Sequence, residues 1–195
     1  KENDYVIDVC SAPGGKALHM ADKLCGTGLV EARDLTEYKV NLIEDNIERS
    51  GMENIRAVQQ DALIYDEASK EKADIVLADL PCSGLGVLGK KTDIKYKMTR
   101  ETQKELRELQ KKILSVAQNY VKLGGTLVYS TCTINEEENM ENVRWFLQQY
   151  PEYSSVSVED SLCEELKLSV REGCLQLLPG IHDSDGFFIA KFRKD

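Results

Sequence analysis

Apolar positions along the chain fall into short continuous runs that alternate with stripes at helical spacing. Tyr5-Val6-Ile7-Asp8-Val9-Cys10 is closed by Ser-Ala-Pro-Gly-Gly, which predicts a buried strand running into a tight turn. Ala17, Met20, Ala21 and Leu24 then predict a helix over residues 16–24. A second strand is expected over 28–34. A helix follows over 36–50, with Val40, Ile43 and Ile47 on one stripe and Gly51 as its stop. A third, weaker strand covers 55–59. Residues 66–73, rich in Glu, Lys, Ala and Ser, read as a solvated linker. Asp74 to Asp79 is the clearest buried strand, and Leu-Pro-Cys-Ser-Gly after it can continue neither strand nor helix. Residues 100–122 predict a long helix with Leu106, Leu109, Ile113, Val116, Ala117 and Tyr120 on its apolar face. Gly124-Gly125 is read as a break before a fifth strand over 126–131, and 137–149 as another helix. Two closing strands are expected near 174–178 and 187–192, joined by a Pro-Gly-Ile-His-Asp-Ser-Asp-Gly loop.

This alternation implies βαβ units, a parallel sheet and helices on both faces, with ligands bound outside the carboxyl ends of the strands. Ser11–Gly15, Asp79–Gly84 and Ser130–Thr133 all fall there. The 195 residues suit one domain, and 42% hydrophobic with 30% charged residues is ordinary for a globular fold. No apolar run approaches the roughly 18 residues of a membrane span. No secretory signal is visible, and the abrupt start at Lys1 predicts a fragment of a longer protein. A net charge of -9 argues against phosphate contacts, unless basic residues cluster locally or another part of the protein supplies them. The six cysteines do not suit a disulfide framework, which belongs to small secreted domains. No CxxC pair occurs and His19 lies far from His182, so no zinc site is expected. Free thiols in a reducing cytoplasm, in a monomer, are the expectation.

The segment Asp8-Val-Cys-Ser-Ala-Pro-Gly-Gly-Lys16 joins the first strand to its helix. Gly14 and Gly15 remove side chains where a ligand must approach the backbone, and the helix start points N–H groups at it. Asp34 ends the second strand, where a carboxylate can take both ribose hydroxyls, and Asp61 follows the third, placed for an adenine edge. A glycine turn alone is weak, but turn plus two strand-end acids points to a nucleoside cofactor. The absence of G-x-G-x-x-G disfavours a dinucleotide. Cys82 and Cys132 each follow a core strand and emerge at the same edge. A thiolate in a polar loop is a strong nucleophile. Cys10, Cys25, Cys163 and Cys174 read as small hydrophobes.

Four segments, Asp8-Val-Cys-Ser-Ala-Pro-Gly-Gly-Lys16, Asp79-Leu-Pro-Cys-Ser-Gly84, Leu127-Val-Tyr-Ser-Thr-Cys132 and Asp185-Gly-Phe-Phe-Ile-Ala190, resemble in order the motifs of RNA cytosine-C5 methyltransferases of the Nop/Sun family. The resemblance spans residues 4–193 and is nearest to the bacterial Sun branch, which acts on small-subunit ribosomal RNA. It implies a Rossmann-like, S-adenosylmethionine-dependent fold, with a mostly parallel seven-stranded sheet and an antiparallel C-terminal hairpin. It also implies a further N-terminal RNA-binding domain. By the resemblance Cys132 attacks C6 of cytosine, Cys82 helps release the product, Asp79 holds and protonates N3, and Lys16 supports the pocket. Ser11, Ala12, Pro13, Gly14, Gly15, Lys16, Asp34, Asp61 and Asp79 would hold the cofactor, and no metal or membrane is involved.

One stretch departs from the family pattern. Lys90-Lys-Thr-Asp-Ile-Lys-Tyr-Lys97 has Thr92 where proline is usual and Tyr96 where tryptophan is usual, while Asp93-Ile-Lys95 is kept. Its four lysines and one tyrosine form a basic patch with a stacking residue, as an RNA strand requires. Asn135-Glu-Glu-Glu-Asn139 reads as a helix start rather than a metal site. His19 is expected to pack against its helix neighbours and His182 to sit in a loop. Three other readings remain: a DNA cytosine-C5 methyltransferase with Cys82 as nucleophile, an idle RNA-binding module, and a thiol-redox domain.

Overall fold

The apolar runs and helical stripes become nine strands and six helices in the computed structural model, which describes residues Lys1–Asp195. In chain order these are β1 (Tyr5–Asp8), α1 (Gly15–Lys23), β2 (Leu29–Asp34), α2 (Glu37–Ser50), β3 (Ile55–Gln59) and β4 (Ala73–Asp79). Then come α3 (Ile94–Lys97), α4 (Arg100–Ala117), β5 (Val121–Thr131), α5 (Met140–Gln149) and β6 (Tyr153–Ser155). The chain closes with α6 (Glu164–Lys167), β7 (Val170–Arg171), β8 (Cys174–Leu177) and β9 (Phe187–Lys194). Two compact units result. The first holds Lys1–Asp79, Ser115–Leu127 and Lys194; the second holds Leu80–Leu114, Val128–Arg193 and Asp195.

In the first unit the strand order is β3-β2-β1-β4-β5. β1 pairs in parallel with both β2 and β4, and β2 in parallel with β3. α1 and α2 press their apolar stripes onto this sheet, where Val6, Ala17, Ala21, Leu24, Val30, Ala32, Ile43 and Ile55 form one buried cluster. Each large aliphatic side chain there contributes about 1.5–3 kcal/mol of burial. α2 begins at Thr36, whose hydroxyl accepts from the Lys39 N–H, and ends at Gly51 in the left-handed conformation.

Residues alternate faces along β2, so Glu31 and Arg33 are carried to the side opposite Val30 and Ala32. Arg33 is buried there, donating to Glu31 at 2.6 Å and to Asp66 at 3.2 Å, with its guanidinium 5.2 Å from the Tyr120 ring centre. Asp66 and the buried Ser69 therefore anchor the 66–73 stretch, which is not the solvated linker its composition suggested.

In the second unit the order is β5-β9-β8-β7, with β6 beside β9. β8 is antiparallel to both β7 and β9, which gives the expected C-terminal hairpin. The sheet has nine strands rather than seven because β6 and β7 are only three and two residues long, too short to show a pattern. The long helix ends at Ala117 instead of 122, and a single 3-10 turn over Gln118–Tyr120 leads into β5. Gly124-Gly125 lies inside β5 and does not break it. A Cβ at Gly125 would stand 2.8 Å from the Lys122 carbonyl, so glycine is what lets the strand pass.

Asp8 ends β1 and is only 1% exposed. Burial pushes its carboxyl up to about 7 and the Asp79 charge adds to this, against opposition from the Ser11 hydroxyl, the Cys10 N–H and Lys16. An unfolded aspartate titrates near 3.8, so between these values the folded chain holds more protons and stability falls as pH rises. Asp8→Asn removes that penalty. The variant should therefore gain on wild type between about pH 4 and pH 7 and stay level above, by at most about 4 kcal/mol. Urea titrations at the two ends of that range measure it, and a pH-independent difference would mean that Asp8 is not strained by its charge.

Candidate functional site

In the first unit, the turn after β1 and the end of β4 enclose a pocket of about 270 Å³ lined by Asp8, Cys10, Ser11, Ala12, Pro13, Gly15, Lys16 and Asp79. Gly14, at φ 101°, caps α1 without a side-chain hydrogen bond, so the first N–H groups of the helix have no side-chain cap. A Cβ at Gly15 would meet nothing within 4 Å, so its absence leaves room in front of the loop instead of relieving a clash. The buried Ser11 hydroxyl faces the Asp8 carboxyl but closes no full hydrogen bond. Lys16 Nζ lies 2.6 Å from Asp79 Oδ2, a half-exposed pair that closes one side of the pocket. Cys10 is pushed up to about 12 by burial and by the Asp34 and Asp8 charges, so it stays a neutral wall.

Two of the predicted cofactor acids stand outside this lining. Asp34 is buried beside it, where it accepts from Ala12 N–H at 2.9 Å and Leu35 N–H at 2.8 Å and pairs with Lys39 at 2.9 Å. It thus helps shape the Ser11–Gly14 turn. Asp61 accepts from Leu63 N–H at 2.9 Å in the turn after β3. An uncapped helix start, a hydroxyl without a full hydrogen bond and a glycine facing open space together fit a small polar ligand bearing a carboxylate or hydroxyls.

The second unit brings the other two candidates together. Cys82 and Cys132 are both half-buried free thiols with Sγ atoms 3.3 Å apart. The hydrogen bond and charge of Cys132, together with burial, hold the proton firmly on Cys82. The loops that carry them are braced: Ser83 and Thr133 hydroxyls meet at 2.7 Å. Gly86 N–H donates to the Cys132 carbonyl at 3.1 Å, and Gly186 N–H to the Gly86 carbonyl at 2.8 Å. A Cβ on Gly86 would fall 2.2 Å from the Gly186 oxygen.

Two expectations fail here and a third holds in part. The 135–139 cluster does lead into a helix, with Asn139 at the cap of α5, but α5 starts at Met140 rather than 137 and Glu138 and Asn139 are fully buried. His19 is exposed rather than packed, and Cys25 and Cys163 are exposed rather than buried. His182 sits in a loop and is fixed by Ser169 at 2.7 Å. No three His, Cys, Asp or Glu side chains gather as metal ligands, and no helix is long and apolar enough to cross a membrane. Gln110, 0% exposed between Leu106 and Ile113 on the apolar stripe of α4, was the sequence signal for the buried polar cluster around Glu138.

The model of the family described as 16S rRNA methyltransferase RsmB/F matches residues 1–193. The chain is 41% identical over 196 residues to the probable ribosomal RNA small subunit methyltransferase B of Bacillus subtilis, covering 100% of this chain and 44% of that protein. It thus spans less than half the length of such relatives. The structure of NSun6 from Pyrococcus horikoshii with SFG superposes at a TM-score of 0.83 and 31% identity, over 98% of this chain and 48% of that one. A SAM-dependent methyltransferase from Aquifex aeolicus, 14% identical at a TM-score of 0.60 over 100% of this chain and 84% of that one, shares the fold alone. Motifs, fold and sequence agree that the chain belongs to the RsmB/F family of 16S rRNA methyltransferases.

Proposed function

We propose that this chain is a catalytic domain that transfers a methyl group from S-adenosylmethionine to C5 of an unpaired cytosine in small-subunit ribosomal RNA, through a covalent bond between Cys132 and C6. The observation that carries the reading is the pair of thiols, in no disulfide, with sulfurs 3.3 Å apart on the loops after β4 and β5. When bound, S-adenosylmethionine supplies an electrophilic methyl. Ser11, Gly14, Gly15, Lys16 and Asp79 would hold it, with Asp34 and Asp61 as ribose and adenine contacts.

Cytosine C5 is too poor a nucleophile to take a methyl unaided. The Cys132 thiolate adds to C6 while a proton goes to N3, and the ring becomes enamine-like at C5. Asp79, three residues before Cys82 in the chain, is the residue assigned to hold N3, and Lys16 keeps that carboxylate oriented. After methylation a base takes the C5 proton, the C5–C6 double bond re-forms as the C6–S bond breaks, and N3 gives its proton back to Asp79, so Cys132 is expelled as thiolate. Cys82, placed to share a proton with that sulfur, serves this release. The base must leave its stack to expose C6.

The strand that carries the cytosine meets the exposed segment around α3. Tyr96 is 80% exposed, and Lys95 lies over its ring at 4.8 Å. Lys90 pairs with Asp185 and Lys97 with Asp93, which leaves Lys91 and Lys95 for phosphates.

Two outcomes test this. With labelled S-adenosylmethionine and undermodified small-subunit RNA, Cys132→Ser should lose methyl transfer to background, while Cys82→Ser should accumulate a protein–RNA adduct visible on a denaturing gel. Loss of adduct in Cys82→Ser with turnover kept in Cys132→Ser would reverse the roles, as a DNA-type enzyme requires. In RNA binding, Lys91→Ala and Lys95→Ala should each lower the slope of log affinity against log salt by about 0.7, and Tyr96→Ala should cost about 1–3 kcal/mol. Unchanged slopes would move the RNA track elsewhere.

A further inference from the structure

We propose that the adjacent buried residues Glu138 and Asn139 are the positioning pair of the two thiols, Glu138 holding the loop of Cys82 and Asn139 the loop of Cys132. The inference rests on the thiols being the reacting pair. Both residues are 0% exposed at the turn before α5. A buried carboxylate persists only if donors replace its lost water. Glu138 has three: the Ser83 N–H at 2.9 Å and the Gln110 amide at 2.9 Å on Oε2, and the Asn135 amide at 3.0 Å on Oε1. Ser83 follows Cys82 directly, and Gln110 also donates to the Pro81 carbonyl at 2.8 Å. Both flanks of Cys82 are thereby tied to one carboxylate.

Asn139 does the same for the other thiol. Its Oδ1 accepts from the Thr131 hydroxyl at 2.7 Å, and its amide donates to the Thr133 carbonyl at 3.0 Å, so both neighbours of Cys132 are fixed. The Ser83–Thr133 hydroxyl contact at 2.7 Å joins the two halves. Because residues 138 and 139 are consecutive, the peptide bond between them sets the spacing of the loops. The 3.3 Å separation of the sulfurs follows from it.

The test measures that spacing without RNA or methyl donor. In a chain with the exposed Cys25 and Cys163 changed to serine, diamide should close a Cys82–Cys132 disulfide. The two thiols give up two protons and two electrons to diamide, which becomes the hydrazine, and intact mass reports the loss of two hydrogens. Glu138→Ala and Asn139→Ala should close between about tenfold and a hundredfold more slowly than the parent, at a temperature where their melting curves show a folded chain. Glu138→Gln, which keeps an acceptor, should lie between. Closure at the parent rate or faster in a folded alanine variant overturns the proposal. Should those variants not fold, Ser83→Ala cuts only the joining contact; slower closure supports the proposal and the parent rate overturns it. In methyl transfer the same series should lower kcat and leave KM for RNA unmoved. A parent chain that methylates nothing while closure obeys the series would sink the function proposed above and leave the positioning role standing.

Discussion

A polar group taken out of water at the end of a buried strand must meet a partner inside the protein, because each one left alone costs about 1–3 kcal/mol. The pocket of the first unit and the thiol pair of the second are each an answer to that constraint. β2 ends in a carboxylate, and the N–H groups that satisfy Asp34 belong to Ala12 and Leu35, so the need for donors dictates the path of the turn after β1. The loops of Cys82 and Cys132 draw their polar backbone indoors in the same way, where Glu138, Asn139 and Gln110 absorb it. Rigid loops at strand ends are thus a by-product of hydrogen-bond accounting, and reactive groups placed on them inherit the rigidity.

Charge is distributed to match. The chain is acidic as a whole, with a net charge of -9, yet Lys90, Lys91, Lys95 and Lys97 all stand exposed around α3 beside one uncovered ring. Neighbouring acids already neutralise two of them, so the patch is weaker than its lysine count suggests. Within the second unit, the proximity of the two sulfurs and their burial hold the Cys82 thiol in its neutral form.

The strands were legible because continuous apolar runs leave few alternatives, and β3 appears over the expected 55–59. Motif residues were legible because glycine, proline and cysteine at strand ends have few structural uses. Glu138 was not. Three glutamates in a row look like a solvated helix start, and the burial of one depends on donors from residues 83, 110 and 135, which no local pattern connects. Asp66 and Ser69 were missed for the same reason, since Arg33 reaches them from β2. Cys25 and Cys163 show the opposite error. Cysteine is buried on average, but a turn leaves such a small side chain outside when nothing packs over it.

The close approach of Gly86 and Gly186 carries a consequence for how such a chain changes over generations. The obstacle that a methyl on either glycine would meet is the other's main chain, 2.2 Å away in one direction and 2.7 Å in the other. No side-chain replacement elsewhere relieves it. A side chain at either position has to displace main chain, the Cys132 carbonyl beside Gly86 included. A substitution at 186, in the loop of the closing hairpin, thus reaches the loop of a thiol remote from it in sequence.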